Sequence, residues 1–154
     1  MIAAQIAALV MMAGIGHAEL PREPFQRVAR RALTGEFGQL APWQREGYAR
    51  GLERGVRADR TCFLTSYYGT EGRSGRTDCK GRRCTLRTAA ANTIPQGAYI
   101  WTEHGIRQVR DTGSRGNDSR ARRHGADHWV DYWYPRVRDC PFGGTAVVRM
   151  AVIG

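Results

Sequence analysis

The spacing of apolar residues along the chain changes near residue 60. Before that point it is helical. Phe25, Val28, Ala29, Ala32 and Leu33 recur at three- and four-residue intervals and Pro24 suits a first turn, which predicts a helix over 24–33. Trp43, Gly47, Ala49, Leu52 and Val56 form a weaker set that predicts a second helix over 42–56, with Gly47 and Gly51 working against it. From Thr61 onward, apolar, aromatic and β-branched residues come instead in short runs separated by glycine, proline and charged loops. These runs predict six strands: 62–68, 86–91, 98–102, 105–110, 129–134 and 145–153. Short strands in that number, with no helical period among them, predict a mainly β chain built on a small barrel. The expected organisation is a leader over 1–18, a small helical segment over 19–57 and a barrel domain over 58–154.

Composition adds a class of partner and a compartment. A length of 154 residues accommodates one compact domain. The formal net charge is +10 and Lys80 is the only lysine, so the surface is an arginine surface that favours polyanions without choosing among nucleic acid, anionic lipid and acidic envelope polymers. Residues 1–18 carry an apolar run that ends in Gly16-His17-Ala18, the small-x-small pattern cut by signal peptidases. The run is short for a membrane span, and the usual basic residue before it is missing. The expectation is export, to a secreted or periplasmic location, with no stable membrane insertion after cleavage. Cys62, Cys79, Cys84 and Cys140 are even in number and suit an oxidising compartment, where they would close two bridges in one of three pairings. His124 and His128 stand four apart, a zinc-like spacing, but Gly125 breaks the helix it needs and no Cys-x-x-Cys knuckle accompanies it. Neither a metal nor any other cofactor is expected.

The residues that promise chemistry are two aspartates set in apolar runs. Asp111 closes the strand predicted over 105–110, in Arg110-Asp111-Thr112-Gly113, and Asp131 sits inside Trp129-Val130-Asp131-Tyr132-Trp133-Tyr134. A carboxylate among aromatic and β-branched neighbours is unfavourable unless it is neutralised or used. The structural alternatives are a turn cap for Asp111 and a buried ion pair between Asp131 and Arg110 or Arg136. The functional alternative is glycan cleavage by a carboxyl group kept protonated by its apolar surroundings. Trp133 and Tyr134 point to opposite sides of a strand, so one of them is expected to be open to a sugar.

Three segments in order, Ile94-Pro95-Gln96-Gly97-Ala98-Tyr99-Ile100, Val109-Arg110-Asp111-Thr112-Gly113 and Val130-Asp131-Tyr132-Trp133, resemble the three-aspartate domain, and Thr65-Ser66-Tyr67 resembles that family's opening strand. The resemblance implies a six-stranded double-psi β-barrel related to membrane-bound lytic transglycosylase A. It also implies an activity, cleavage of peptidoglycan glycan strands to 1,6-anhydromuramyl ends by one aspartate acting twice. On that likeness Asp131 is the acid/base and Asp111 its supporting carboxylate. Thr112 and Gly113 would shape the turn against the sugar, and Trp133 or Tyr134 would stack on it. The chain departs from the pattern in two places. The family's first aspartate falls at Ala90, with Asn92 the nearest polar residue, and the stretch between Asp111 and Asp131 carries a long arginine-rich insert. The competing expectations are a non-catalytic barrel that binds cell-wall glycan and, less favoured, a nucleic-acid binder. The loop arginines Arg115, Arg120, Arg122 and Arg123 lack the interleaved aromatics that single strands stack on, so no specific nucleic acid is expected.

Overall fold

A computed structural model describes residues 25–72 and 75–154. The expected leader over 1–18 lies outside the described residues. Two helices come first, α1 (Phe25–Leu33) and α2 (Pro42–Arg54), followed by strands β1 (Arg57–Tyr68), β2 (Thr88–Ala90), β3 (Tyr99–Thr102) and β4 (Gly105–Asp111). A short helix α3 (Asn117–Arg123) then leads into β5 (His128–Tyr134), a single 3-10 turn and β6 (Thr145–Ile153). The six strands close into a barrel in the order β1-β5-β2-β4-β3-β6. Two neighbouring pairs are parallel, β1 with β5 and β2 with β4, and the other pairs are antiparallel.

Alternation along the strands sorts side chains into an interior and two outer faces. Cys62, Leu64, Ala89, Ile100, Val109, Val130, Tyr132, Val148 and Met150 fill the barrel interior. On one outer face Tyr99, Trp101, Ile106, Ala151 and Ile153 receive Phe25, Ala29 and Ala32 of α1 and Tyr48 of α2. Phe25 meets Trp101 edge-on with ring centroids 5.8 Å apart. On another face Phe63, Tyr67, Cys84, Ala90 and Trp129 lie together under Ala121 of α3 and Ala126.

The glycines that weakened the second helix are required by its docking. A Cβ at Gly47 would come within 2.5 Å of Ile106 Cδ1, and one at Gly51 would strike the Phe25 ring. Only hydrogen lets α2 approach the barrel that closely. Two elements differ from the sequence expectation. β1 begins at Arg57, earlier than residue 62, because its first half is a polar strand held by β6, with Arg57 opposite Val152 and Arg60 opposite Met150. The stretch expected to be an arginine-rich loop contains α3, anchored by fully buried Ala121.

Candidate active site

Strand register sets four residues side by side across four neighbouring strands. Thr65 pairs with Asp131, Asp131 with Ala90, and Ala90 with Asp111. Register partners share a face, and this row lies on the outer face that carries Phe63, Tyr67 and Trp129. Asp111 joins the row through a β-bulge. Ala89 pairs with Val109 but Ala90 with Asp111, so Arg110 is an extra residue on β4. Val109 points into the barrel interior, and simple alternation would send Asp111 there too. The bulge turns its carboxylate outward instead.

Asp131 is half-buried and accepts a 2.9 Å hydrogen bond on Oδ1 from the Thr65 hydroxyl. That hydroxyl in turn accepts one of 3.0 Å from Trp129 Nε1. With an acceptor position taken by the indole, the Thr65 proton goes to the carboxyl group, the shorter of its two contacts, the other being Val130 O at 3.4 Å. Burial pushes the pKa of Asp131 up from 3.8 to about 7; the Thr65 bond works against the rise, and the negative charges of Glu71 and Asp111 add to it. The arginines that could have neutralised it do not. Arg110 turns toward Asp78, with Nε 3.8 Å from Oδ2, and Arg136 is exposed. Among the described residues, no cation comes within ion-pair distance of Asp131.

Asp111 is buried and accepts from three donors. Its Oδ1 accepts from the backbone N–H groups of Cys79 and Thr112, each at 2.8 Å, and its Oδ2 accepts from the Tyr67 hydroxyl at 3.1 Å. These donors fix its orientation beside Asp131, where its negative charge adds to the rise in the pKa of Asp131. The Cys79 donor is delivered by a hairpin over residues 76–84, where Cys84 N bonds Arg76 O and Asp78 N bonds Arg82 O. Asp78 ties that hairpin together, accepting from Lys80 N and Arg82 N at 2.9 Å and pairing with Arg82 Nε at 2.7 Å. Burial alone would raise the pKa of Asp78, but the bonds from Arg82 and Lys80 outweigh it and hold the carboxyl group ionised.

The remaining expected residues divide between rim and core. Thr112 is exposed, and Gly113 is pressed so closely against the Trp129 indole that a Cβ there would overlap it. Gly113 N donates to Asn92 Oδ1 at 2.9 Å, and Asn92 Nδ2 donates to Asp118 Oδ2 at 3.0 Å. Asn92 therefore staples the Asp-Thr-Gly turn, while Ala90 lies between the two aspartates in register. Trp133 is half-buried with its Nε1 donating to Gly75 O at 2.7 Å. Tyr134 is in the barrel core at 3% exposure and out of reach of a sugar.

The two expected disulfides are not formed; all four cysteines are free. Cys62 lies in the barrel interior and Cys84 in the outer cluster beside Tyr67, so the wall separates those two buried thiols. Cys79 is exposed near Arg110 O, and Cys140 donates to Phe142 O at 3.0 Å. His124 stacks on Phe63 at 4.4 Å, while His128 Nδ1 meets the Thr93 hydroxyl at 2.7 Å, so each ring has a separate engagement. Among the described residues no group of three or more His, Cys, Asp or Glu side chains is arranged to hold a metal ion, and no helix is long and apolar enough to cross a membrane.

Sequence reasoning missed Thr65, Tyr67 and Asp78 as parts of the site. Thr65 and Tyr67 stand in the uncharged half of β1; Thr65 takes its role from the parallel pairing with β5, and Tyr67 from reaching Asp111 on β4, a strand that β1 does not pair with. Asp78 carried a local signal, an aspartate opening the turn Asp78-Cys79-Lys80-Gly81. Against this geometry, no protein-family model and no curated protein matches the chain.

Proposed function

We propose that this protein is an exported lytic transglycosylase acting on peptidoglycan glycan strands, with Asp131 as its single acid/base. The observation that carries this reading is the state of Asp131. It is a carboxyl group with a pKa of about 7, without a cationic partner among the described residues, on an outer face of the barrel beside Trp129 and Trp133. A group of that kind holds a proton on a substantial fraction of molecules at neutral pH and gains little by losing it.

In the proposed reaction Asp131 protonates the glycosidic oxygen as the C1–O bond breaks. The resulting carboxylate then removes the proton from the C6 hydroxyl of the same sugar as O6 bonds to C1, which closes the 1,6-anhydro ring. The proton count balances and no water is consumed. Asp111 is held nearby by Cys79 N, Thr112 N and Tyr67. Its charge favours the protonated form of Asp131 before cleavage and the cationic character at C1 during it. The exposed Thr112 turn and the accessible part of Trp133 are the surfaces offered to the sugar, with Gly113 keeping the turn tight against Trp129.

The likeness to the three-aspartate domain supports this reading from another side. The positions it assigns to three acids, Ala90, Asp111 and Asp131, are neighbours in register. The parallel pairs β1–β5 and β2–β4 suit the double-psi arrangement that the likeness implies. Export rests on the leader over 1–18 alone, since the cysteines are free. One observation favours a second reading, a non-catalytic glycan-binding barrel: at Ala90 the chain has a methyl group where that family has a carboxylate.

The test is incubation of the purified chain with peptidoglycan, with soluble products read by mass spectrometry and Asp131→Asn as control. The expected result is 1,6-anhydromuramyl ends from the parent and none from the variant. Reducing ends would make the enzyme a hydrolase. Sedimentation with the wall but no release from either protein would establish the binding module.

A further inference from the structure

The insert between the two aspartates gives the site a second feature. It folds as α3 and runs from the Asp111 turn to the start of β5, so it forms one rim of the face that holds Asp131. Arg115, Arg120, Arg122 and Arg123 are all exposed along it. Among the described residues none of the four has a carboxylate within ion-pair distance. Neither nearby acid pairs with the strip: Asp118 accepts from Asn92 on Oδ2 and has a buried, unpartnered Oδ1, and Asp127 accepts from the backbone and hydroxyl of Thr61.

The segment is also held in place. Ala121 is fully buried against the cluster that contains Trp129 and Ala90. His124 lies flat on Phe63 at an interplanar angle of 5°, and the Arg120 guanidinium sits 5.3 Å from the same ring. Asn92 pins both ends of the preceding turn through Gly113, Ser114 and Asp118. A cationic strip anchored at these points loses little backbone freedom when it binds, unlike a solvated arginine loop.

We propose that this strip docks stem-peptide carboxylates of the peptidoglycan strand beside the bond presented to Asp131, so that the substrate is selected as a glycan carrying acidic peptides. The inference rests on the proposed reaction and names the feature of the wall polymer that the protein reads. A glycan fits better than a nucleic acid. Phe63, the aromatic ring of β1 beneath the strip, is 4% exposed and already covered by His124 and Arg120, so it offers no face to a base. The strip leaves the acid intact, because the charges that weigh on Asp131 are those of Glu71 and Asp111.

The experiment compares parent, Arg120→Gln/Arg122→Gln/Arg123→Gln and Asp131→Asn by sedimentation with purified peptidoglycan across a salt series. The same wall with its carboxyl groups chemically amidated serves as a second ligand, and single-stranded DNA as a third. Removing three exposed charges is expected to weaken binding to the untreated wall about ten-fold, with the loss closing as salt rises. Parent binding to amidated wall should fall to the level of the triple variant, and Asp131→Asn should bind like the parent. Equal binding of parent and triple variant to untreated wall would overturn the proposal. So would a strip-dependent affinity for DNA exceeding that for the wall at matched salt, which would make the partner a nucleic acid. The two readings fail separately. Strip-dependent wall binding without anhydro products removes the reaction and keeps the strip, whereas anhydro products at parental rate from the triple variant remove the strip and keep the reaction.

Discussion

Burial penalises the charged form of a carboxyl group, so between pH 3.8 and about 7 the folded chain keeps a proton on Asp131 that the unfolded chain has released. Folding stability falls as pH rises through that window. Asp131→Asn removes the penalty at nearly constant shape. Its melting temperature is expected to exceed that of the parent above about pH 7 and to converge with it below about pH 4. A variant less stable than the parent at alkaline pH would mean that the carboxylate is held charged by a partner, against the proposed acid. Catalysis should show the same group from the other side. Release of anhydro ends requires the protonated form, so its rate should decline on the alkaline side with an apparent pKa near 7. Thr65→Val deletes the donor that favours the charged form and should move that alkaline limb upward. It also strips Trp129 Nε1 of its acceptor, a loss of about 1–3 kcal/mol readable by urea denaturation.

Elements, unlike single side chains, were largely legible from local pattern where burial is simple. β6 alternates between interior and helix-covered faces, Met150 and Val152 inward and Ala151 and Ile153 outward, and its bounds are those expected from the apolar run. β2 is only Thr88–Ala90, shorter than its run, because Leu86 is left exposed before the strand begins. The helix α3 was hidden because its single inward anchor, Ala121, has no apolar period around it. The candidate site was half legible. Both aspartates announce themselves as charges in apolar runs, but their adjacency depends on the register of β2 with β4 and β5 and on a bulge at Arg110 that no local pattern encodes. Glycine is the clearest case of packing overriding propensity. In an isolated helix Gly51→Ala would gain about 1 kcal/mol. Here the added methyl meets Phe25 and approaches Ile153 Cδ1 to 3.2 Å, so a net loss of about 1–3 kcal/mol is expected by thermal or urea unfolding.

Closure of the sheet ties these elements into one unit, because β1 is paired on both sides, with β5 and with β6, and the barrel has no free edge to peel from. The four thiols report on that unit at different depths. Cys79 is exposed and Cys140 partly so, whereas Cys62 is fully buried in the interior and Cys84 is 2% exposed under the outer cluster. Burial also pushes the thiols of Cys62 and Cys84 up, which suppresses the reactive thiolate while they remain in place. In the native protein an aromatic disulfide reagent should modify Cys79 first and Cys140 next. Cys84 should follow when the hairpin over 76–84 lifts, and Cys62 only when β1 leaves its neighbours. Under conditions where reclosing outruns modification, the free energy drawn from the Cys62 rate should equal the global unfolding free energy from denaturant titration, and that from Cys84 should be smaller. A Cys62 value well below the global one would show that the barrel opens locally at β1. In denaturant without reductant all four thiols should titrate; only two or none would show that bridges form, contrary to the free-thiol structure.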